Sequence, residues 1–327
     1  NMHVTLKIIL SVLCLTCFVA CGQKEDTKDF SKLSNEEKIA LLDARIKENP
    51  KNADLYFQRA KVFHTIGNTK EALFNVRKAI ELDGKKIDYY LLEADVFFAR
   101  GETSMAFDAL NQAIKTDRKS LDAHLKMAEI SIDLQDYNRA MESIKNIIDL
   151  DKVNAQAYFM RGWVFKETGD TLRAVEDYKK AIEYKSDYED AFEELGNLYA
   201  IKGDALAVDY YKSTININPK NINAMYNLGL FYQEHGATQQ ALDMYQRVLK
   251  INPSYTNAIY AVGYINYEEK QDYLTALDCF NKAIKSDSTY YEAYDARAEV
   301  YKKLGKTAEA NKDFETALRL KSAVSQR

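Results

Sequence analysis

The side chains able to make and break bonds are few in this 327-residue chain, and they are scattered. Its four histidines, His3, His64, His124 and His235, stand far apart. There is no His-Glu-x-x-His run and no pair of Cys-x-x-Cys motifs, the spacings by which short segments hold zinc. No glycine-rich loop is placed to cradle a phosphate, and no nucleophile stands in a recognisable elbow. The sequence therefore points to no enzyme, no metal and no cofactor. It is rich instead in groups for non-covalent chemistry: 49 acidic and 45 basic residues, 23 tyrosines and 14 phenylalanines. A net charge of −4 with no basic run argues against nucleic acid, because phosphate binding needs a Lys/Arg surface. Charge pairing and ring stacking with other molecules are what remain.

The elements that must position those groups announce themselves by a period. Gly162, Gly196, Gly229 and Gly263 recur at intervals of 34, 33 and 34. The same step continues as Ala60, Ala94 and Ala128 on one side and Ala298 on the other. A second small position follows it: Ala72, Ala106, Ala140, Ala174, Ala207, Ala241, Ala276 and Ala310. Small residues recurring on two helices predict close approach of their backbones, which offsets the roughly 1 kcal/mol that glycine costs inside a helix. Self-similarity at about 34 residues predicts a helical solenoid in which each unit contacts mainly its neighbours. Only 3 prolines and 12 glycines, with 46% hydrophobic residues, suit an all-helical chain.

Numbered from 1 to 34, each unit has a large residue at 4, a small one at 8, a large one at 11, Ala at 20, a ring or aliphatic at 24 and a small residue at 27. The sixth unit shows Leu228, Gly229, Tyr232, Ala241, Tyr245 and Pro253; the fourth shows Tyr158, Gly162, Phe165, Gly169, Ala174, Tyr178 and Ala181. This resembles the tetratricopeptide repeat (TPR) family. The resemblance implies an all-α fold: a right-handed superhelical solenoid of about eight helix-turn-helix units with an N-terminal capping helix. The units are 53–86, 87–120, 121–154, 155–188, 189–221, 222–255, 256–290 and 291–322, together 53–322, about four-fifths of the chain. The fifth is one residue short at "GDALAV" and the seventh one long near "EEKQDY", with Asn266 where a ring is usual. Second helices are expected to stop at Gly84, Arg118, Lys152, Ser186, Pro219, Pro253 and Ser288. Ahead of the array, residues 34–52 read as the capping helix, with Ser34 and Glu37 as a capping box. Residues 323–327 form a tail.

The N-terminal end has its own chemistry. Residues 1–20 carry an uncharged apolar run from Ile8 to Ala20, too short for a comfortable span and of signal-peptide form. "FVACG" resembles the lipobox of bacterial lipoproteins, with Phe18 replacing the usual leucine. It implies cleavage before Cys21 and acylation there; an uncleaved anchor or an ordinary secretory signal is the alternative. "QKED" after Cys21 resembles the export signal of surface lipoproteins of the Bacteroidota, or is a charged linker. Residues 21–33 are then the lipidated cysteine and a tether reaching on the order of 20 Å. Cys14 and Cys17 would leave with the signal, and Cys279 reads as a small buried residue.

In the family, positions 2, 5, 9, 12 and 13 of each first helix line a concave groove that holds a protein segment. Carried over, this implies Glu129, Asp133, Glu167 and Glu193 with Phe159 and Trp163 between them, and a second cluster of Tyr226, Tyr260, Tyr264 and Tyr267. The carboxylates read equally as a solvated face, and Trp163 as packing on the adjacent unit. Moving the extra residue of the seventh unit ahead of its first helix would turn Tyr260, Tyr264 and Tyr267 into packing positions. Phe159 and Trp163, four apart, are expected to lie together on one helix face. At the far end Phe314, Ala317 and Leu318 are expected to be exposed and to meet a partner or a second copy of the chain, as a homodimer. Lipid-anchored TPR proteins of this kind imply a protein-binding scaffold of the cell envelope, at the outer membrane, on its periplasmic face or the cell surface. The alternative is a surface lipoprotein that stacks glycans on its rings.

Overall fold

The computed structural model describes residues 29–325. The apolar N-terminal run, Cys21 and "QKED" lie outside the described residues. A 3-10 turn, Phe30–Lys32, leads into seventeen α-helices, and there is no strand among the described residues. No described helix is long and apolar enough to cross a membrane. The helices are α1 (Asn35–Glu48), α2 (Ala53–Thr65), α3 (Thr69–Leu82), α4 (Ile87–Ala99), α5 (Thr103–Thr116), α6 (Leu121–Asp133), α7 (Tyr137–Leu150), α8 (Ala155–Glu167) and α9 (Thr171–Tyr184). They continue as α10 (Glu189–Ile201), α11 (Leu206–Ile217), α12 (Ile222–Glu234), α13 (Thr238–Ile251), α14 (Thr256–Glu268), α15 (Tyr273–Ser286), α16 (Tyr291–Lys303) and α17 (Thr307–Ser325). The array divides into two compact units, one up to Leu134 and one from Gln135 on.

Local chemistry explains where the helices begin and end. Ser34 accepts from the Glu37 N–H while Glu37 accepts from that of Ser34, so both halves of the capping box form on α1. Asn and Asp side chains cap α2, α3, α7, α8, α9, α12 and α15 on one side only, each accepting a backbone N–H. First helices close on a residue with positive φ, such as Gly67 at 75°; Gln135 (58°) and Gln271 (54°) replace glycine in the third and seventh repeats. Second helices stop one residue earlier than the sequence reading placed it. Asp83, Asp117, Asp151, Asn218, Asn252 and Asp287 each accept from the backbone N–H two residues on, at 2.8–3.2 Å. An Asx turn thus ends the helix, and the residue after it is free to vary.

Packing shows what the small positions are for. A Cβ added to Gly162, Gly196 or Gly229 would lie 2.9, 2.7 or 2.6 Å from the ring of Tyr178, Tyr211 or Tyr245; at Gly263 the neighbours are Cys279 and Phe280. The glycine makes room for an aromatic ring on the second helix rather than for a bare backbone. In the first unit the pairs are Ala60 with Val76 and Ala94 with Leu110, all fully buried. The eighth repeat mixes the two, Ala298 with Phe314, and its ring stays half-exposed beneath the Lys302 ammonium, 4.1 Å from the ring centre.

A second device joins the helices of the first, fourth and eighth repeats. Tyr at position 4, Arg at 7 and Asp or Asn at 23 form a trio: Tyr56–Arg59–Asn75, Tyr158–Arg161–Asp177 and Tyr294–Arg297–Asp313. Arg161 holds Asp177 through two bonds of 2.6 and 2.8 Å, and Arg297 holds Asp313 likewise. Each guanidinium lies 5.2–5.6 Å from its tyrosine ring centre. Arg297 also donates to Asn281 on α15 at 2.7 Å, and Arg59 to Asp43 on α1. The arginine therefore fills the crevice between successive outer helices. Asp177 and Asp313 are buried, and such a charge is tolerated because it is paired and fully hydrogen-bonded.

Candidate functional site

First helices of the second unit present one set of side chains to solvent in register, and here most of the singled-out residues lie. Their rings are less free than their positions suggest. Phe159 packs on Tyr178 and Tyr188 with centroids 5.4 and 5.0 Å apart. Tyr226 packs on Tyr245 and Tyr255 at 5.7 and 5.5 Å, and Tyr260 on Phe280 and Tyr290 at 5.6 and 5.4 Å. The same aromatic trio is thus built three times, from position 5, position 24 and the residue before the next first helix. Phe159, Tyr226 and Tyr260 are half-buried by it. Burial, with Tyr264 and Glu292 nearby, pushes the Tyr260 phenol up to about 12, so it stays neutral. Tyr264 is the exposed member, 6.1 Å from Tyr260, and Tyr267 turns to Tyr273 at 6.0 Å.

Phe159 and Trp163 share a helix but pack in different directions. Phe159 turns forward to Tyr178 and Tyr188, while Trp163 turns back to Tyr137 on α7, 6.3 Å away edge-on. The acidic set is also modified. Glu129 and Asp133 belong to the first unit, where Lys126 lies 3.1 Å from Asp95 and 3.7 Å from Glu129. In the second unit Lys166 stands among the acids, 3.0 Å from Glu194, 3.8 Å from Glu167 and 6.0 Å from the Trp163 ring. This lysine partly neutralises the wall, and a search for acids alone passed over it.

The fifth repeat departs from the ring pattern. Glu193 takes the place of the position-5 ring and Asn221 that of the tyrosine ahead of the next helix. Asn221 donates to Glu193 at 2.7 Å and to Glu189 at 2.8 Å. Burial pushes the Glu193 carboxyl up; the Asn221 bond opposes this, and Glu194, Asp190 and Glu189 add to the rise. A half-buried carboxylate held between two aromatic trios is short of positive charge.

Beside it, α10 and α12 enclose a cleft of about 390 Å³ lined by Asn197, Ala200, Ile201, Tyr211, Asn227, Leu230, Phe231 and Glu234. The Tyr211 hydroxyl donates to Asn197 Oδ1 at 2.9 Å, and Asn227 Nδ2 donates to the same oxygen at 3.2 Å. Among the described residues nothing engages the Asn197 Nδ2 or the Asn227 Oδ1. The pair therefore offers a free amide nitrogen and a free amide oxygen, able to pair with the C=O and N–H of a peptide unit, next to apolar Ile201, which is 83% exposed. Sequence reasoning missed both asparagines because it weighed charges and rings. Their signal was the tyrosine at position 24: Tyr245 likewise donates to Gln233 at 2.8 Å, whereas the buried Tyr178 hydroxyl has no partner among the described residues.

At the far end the expected exposed face is mostly covered. Ala317 is buried, at 5%, and Phe314 is half-buried under Lys302; Leu318 alone of the three is exposed, at 68%. No group of His, Cys, Asp and Glu among the described residues is arranged to hold a metal ion.

Comparisons with known proteins agree with this architecture. Family profiles described as "Tetratricopeptide repeat" match residues 222–255 and 291–323, and one described as "TPR repeat" matches 162–203. One described as "Anaphase-promoting complex, cyclosome, subunit 3" matches residues 65–147. No curated protein is significantly similar in sequence. Among solved structures, the C-terminal part of a TPR repeat-containing protein from Cytophaga hutchinsonii is 15% identical, with a TM-score of 0.55 over 70% of this chain and 95% of that one. PilF of Pseudomonas aeruginosa is 18% identical, with a TM-score of 0.53 over 62% and 92%. Human IFIT1, solved as a dimer with PPP-AAAA, is 16% identical, with a TM-score of 0.51 over 88% and 68%. At these identities the likeness is one of fold. Built from these repeats, and matched by their profiles over residues 162–203, 222–255 and 291–323, the chain belongs to the tetratricopeptide repeat family.

Proposed function

We propose that this protein is a scaffold of the bacterial cell envelope, held to a membrane through an acylated Cys21, that binds an extended protein segment along the first helices of its second unit. The observation that carries the binding reading is the Asn197–Asn227 amide pair, fixed by Tyr211 and beside exposed Ile201. A main-chain amide satisfies both free groups, Ile201 and Leu230 receive an apolar side chain, and Glu193 receives a Lys or Arg. "FVACG" supports the anchor.

The test is affinity purification of the tagged, membrane-anchored protein beside its Asn197→Ala/Asn227→Ala variant. Two hydrogen bonds of about 1 kcal/mol each predict roughly thirtyfold weaker binding in the variant, with helicity unchanged. Recovery of the same partners in the same yield would contradict it. Acylation is read separately, by mass spectrometry of the mature N-terminus. Exposed Tyr264 beside Tyr260 favours a second reading, a neutral glycan stacked on the seventh repeat. Binding that survives loss of the amides and ignores salt, but fails in Tyr264→Ala, selects that one.

A further inference from the structure

The second unit holds a larger cavity on its outer side, and the repeat pattern explains why. Between α13, α14 and α15 lies a cleft of about 600 Å³ whose apolar floor includes Leu249, Ile259, Val262 and Cys279. Ile259, Val262 and Cys279 occupy positions 4, 7 and 23, where the first, fourth and eighth repeats carry the Tyr–Arg–Asp/Asn trio. The fifth and sixth repeats fill these positions with Phe192, Leu195 and Tyr210, and with Met225, Leu228 and Met244. Only the seventh has three short apolar side chains there, so the crevice that Arg297 bridges in the next repeat stays open.

The rim is polar and cationic. In four repeats the position-4 tyrosine donates to the carbonyl six residues earlier, as Tyr158 does to Lys152 O at 3.1 Å. Ile259 cannot do this for Pro253, which lines the cleft. Lys282 and Lys285 stand at the same rim; Lys282 pairs with Asp278 at 2.6 Å, while Lys285 has no ion pair among the described residues. The Ser254 and Ser286 hydroxyl side is already bonded, Ser286 donating to Ser254 O at 2.6 Å.

From this arrangement we infer that the cleft is a binding site for a small amphiphile with an alkyl chain and a carboxylate head, the chain on Leu249, Ile259 and Val262 and the head at Lys285. The size falls within the roughly 300–1,000 Å³ of small-molecule sites. The floor is aliphatic with no ring to stack on, which favours an alkyl over an aryl body. An ammonium without a partner at the mouth selects an anion. The site lies on a different face of α14 from Tyr260, Tyr264 and Tyr267, and does not depend on the groove reading.

Cys279 provides the readout, because it lines the cleft and is half-buried. Iodoacetamide labelling of Cys279 in the full chain, followed by peptide mass spectrometry, is expected to slow at least tenfold with saturating decanoate. Decanol, and decanoate on Lys285→Glu, should each require about tenfold higher concentration, the size of one charge-assisted contact. The variant Ile259→Tyr/Val262→Arg/Cys279→Asp restores the trio of the fourth repeat, so it should stay folded yet show no decanoate binding by titration calorimetry. Absence of protection by decanoate overturns the proposal, as does binding by the triple variant at wild-type affinity. Equal protection by decanol, or no effect of Lys285→Glu, overturns the assignment of the head group to Lys285.

Discussion

The second and sixth repeats fill the same space in opposite ways. In the second, Ala94 on α4 shares a core with Leu110 on α5. In the sixth, Gly229 on α12 gives up its side chain and Tyr245 on α13 takes the volume. The exchange changes more than packing. A leucine ends in methyl groups, whereas the tyrosine carries a hydroxyl through the core to a groove amide, Gln233 in the sixth repeat and Asn197 in the fifth. In the fifth and sixth repeats the ring thus ties the core to the first-helix surface; in the fourth the Tyr178 hydroxyl has no partner among the described residues, and the seventh has Phe280, with no hydroxyl, in its place. The eighth repeat, with alanine and a ring together, shows the consequence of mixing them: Phe314 is left half out of the core.

Breaking the sixth repeat should give the largest effects. Tyr245→Ala removes the ring over a bare helix and is expected to cost about 3–5 kcal/mol in urea unfolding. Gly229→Ala gains about 1 kcal/mol of helix propensity but forces a methyl group against the ring, so a net loss of about 1–2 kcal/mol is expected. The reverse change in the second repeat, Ala94→Gly, should also destabilise, by about 1 kcal/mol, because no ring waits to use the space. Opposite substitutions with the same sign would sharpen the contrast; a stabilised Gly229→Ala would remove it.

The smallest effect concerns Glu193, whose fifth-repeat site replaces a ring with a carboxylate. Its pKa is raised on folding, so the folded state holds the proton more tightly than the unfolded one. Stability should therefore rise as pH falls through the window just above the ordinary value of 4.5 and decline again as the carboxyl ionises on the way up. Glu193→Gln should flatten that part of the pH profile in thermal melts. A binding partner with a cation at this site should lower the pKa again.

Much of this was legible in the sequence for one reason: a glycine inside a helix is unusual enough to be noticed when it recurs. Its purpose was not legible, since the residue it accommodates, at position 24, is 15 to 17 residues away on another helix. Arg161 and Asp177 gave no periodic signal, because the pair recurs only as Arg297 with Asp313 and, with asparagine, as Arg59 with Asn75. The Asx turns at Asp83 and its counterparts were hidden behind the residues that follow them, Gly84, Arg118, Lys152, Pro219, Pro253 and Ser288, which vary in type. Groove positions were readable from register, but ring directions were not. Trp163 turns toward Tyr137 through a side-chain rotation that neighbouring volume decides, and no spacing reports that.

The central claim is that positions 8 and 24 act as one unit, and a double-mutant cycle on Gly229 and Tyr245 tests it most directly. Gly229→Ala, Tyr245→Leu and the combination would be compared by urea unfolding under one set of conditions. The combination reproduces the alanine-and-leucine pair of the second repeat, so its loss should be smaller than the sum of the two single losses by about 1–2 kcal/mol. Losses that simply add, within about 0.5 kcal/mol, would contradict the account.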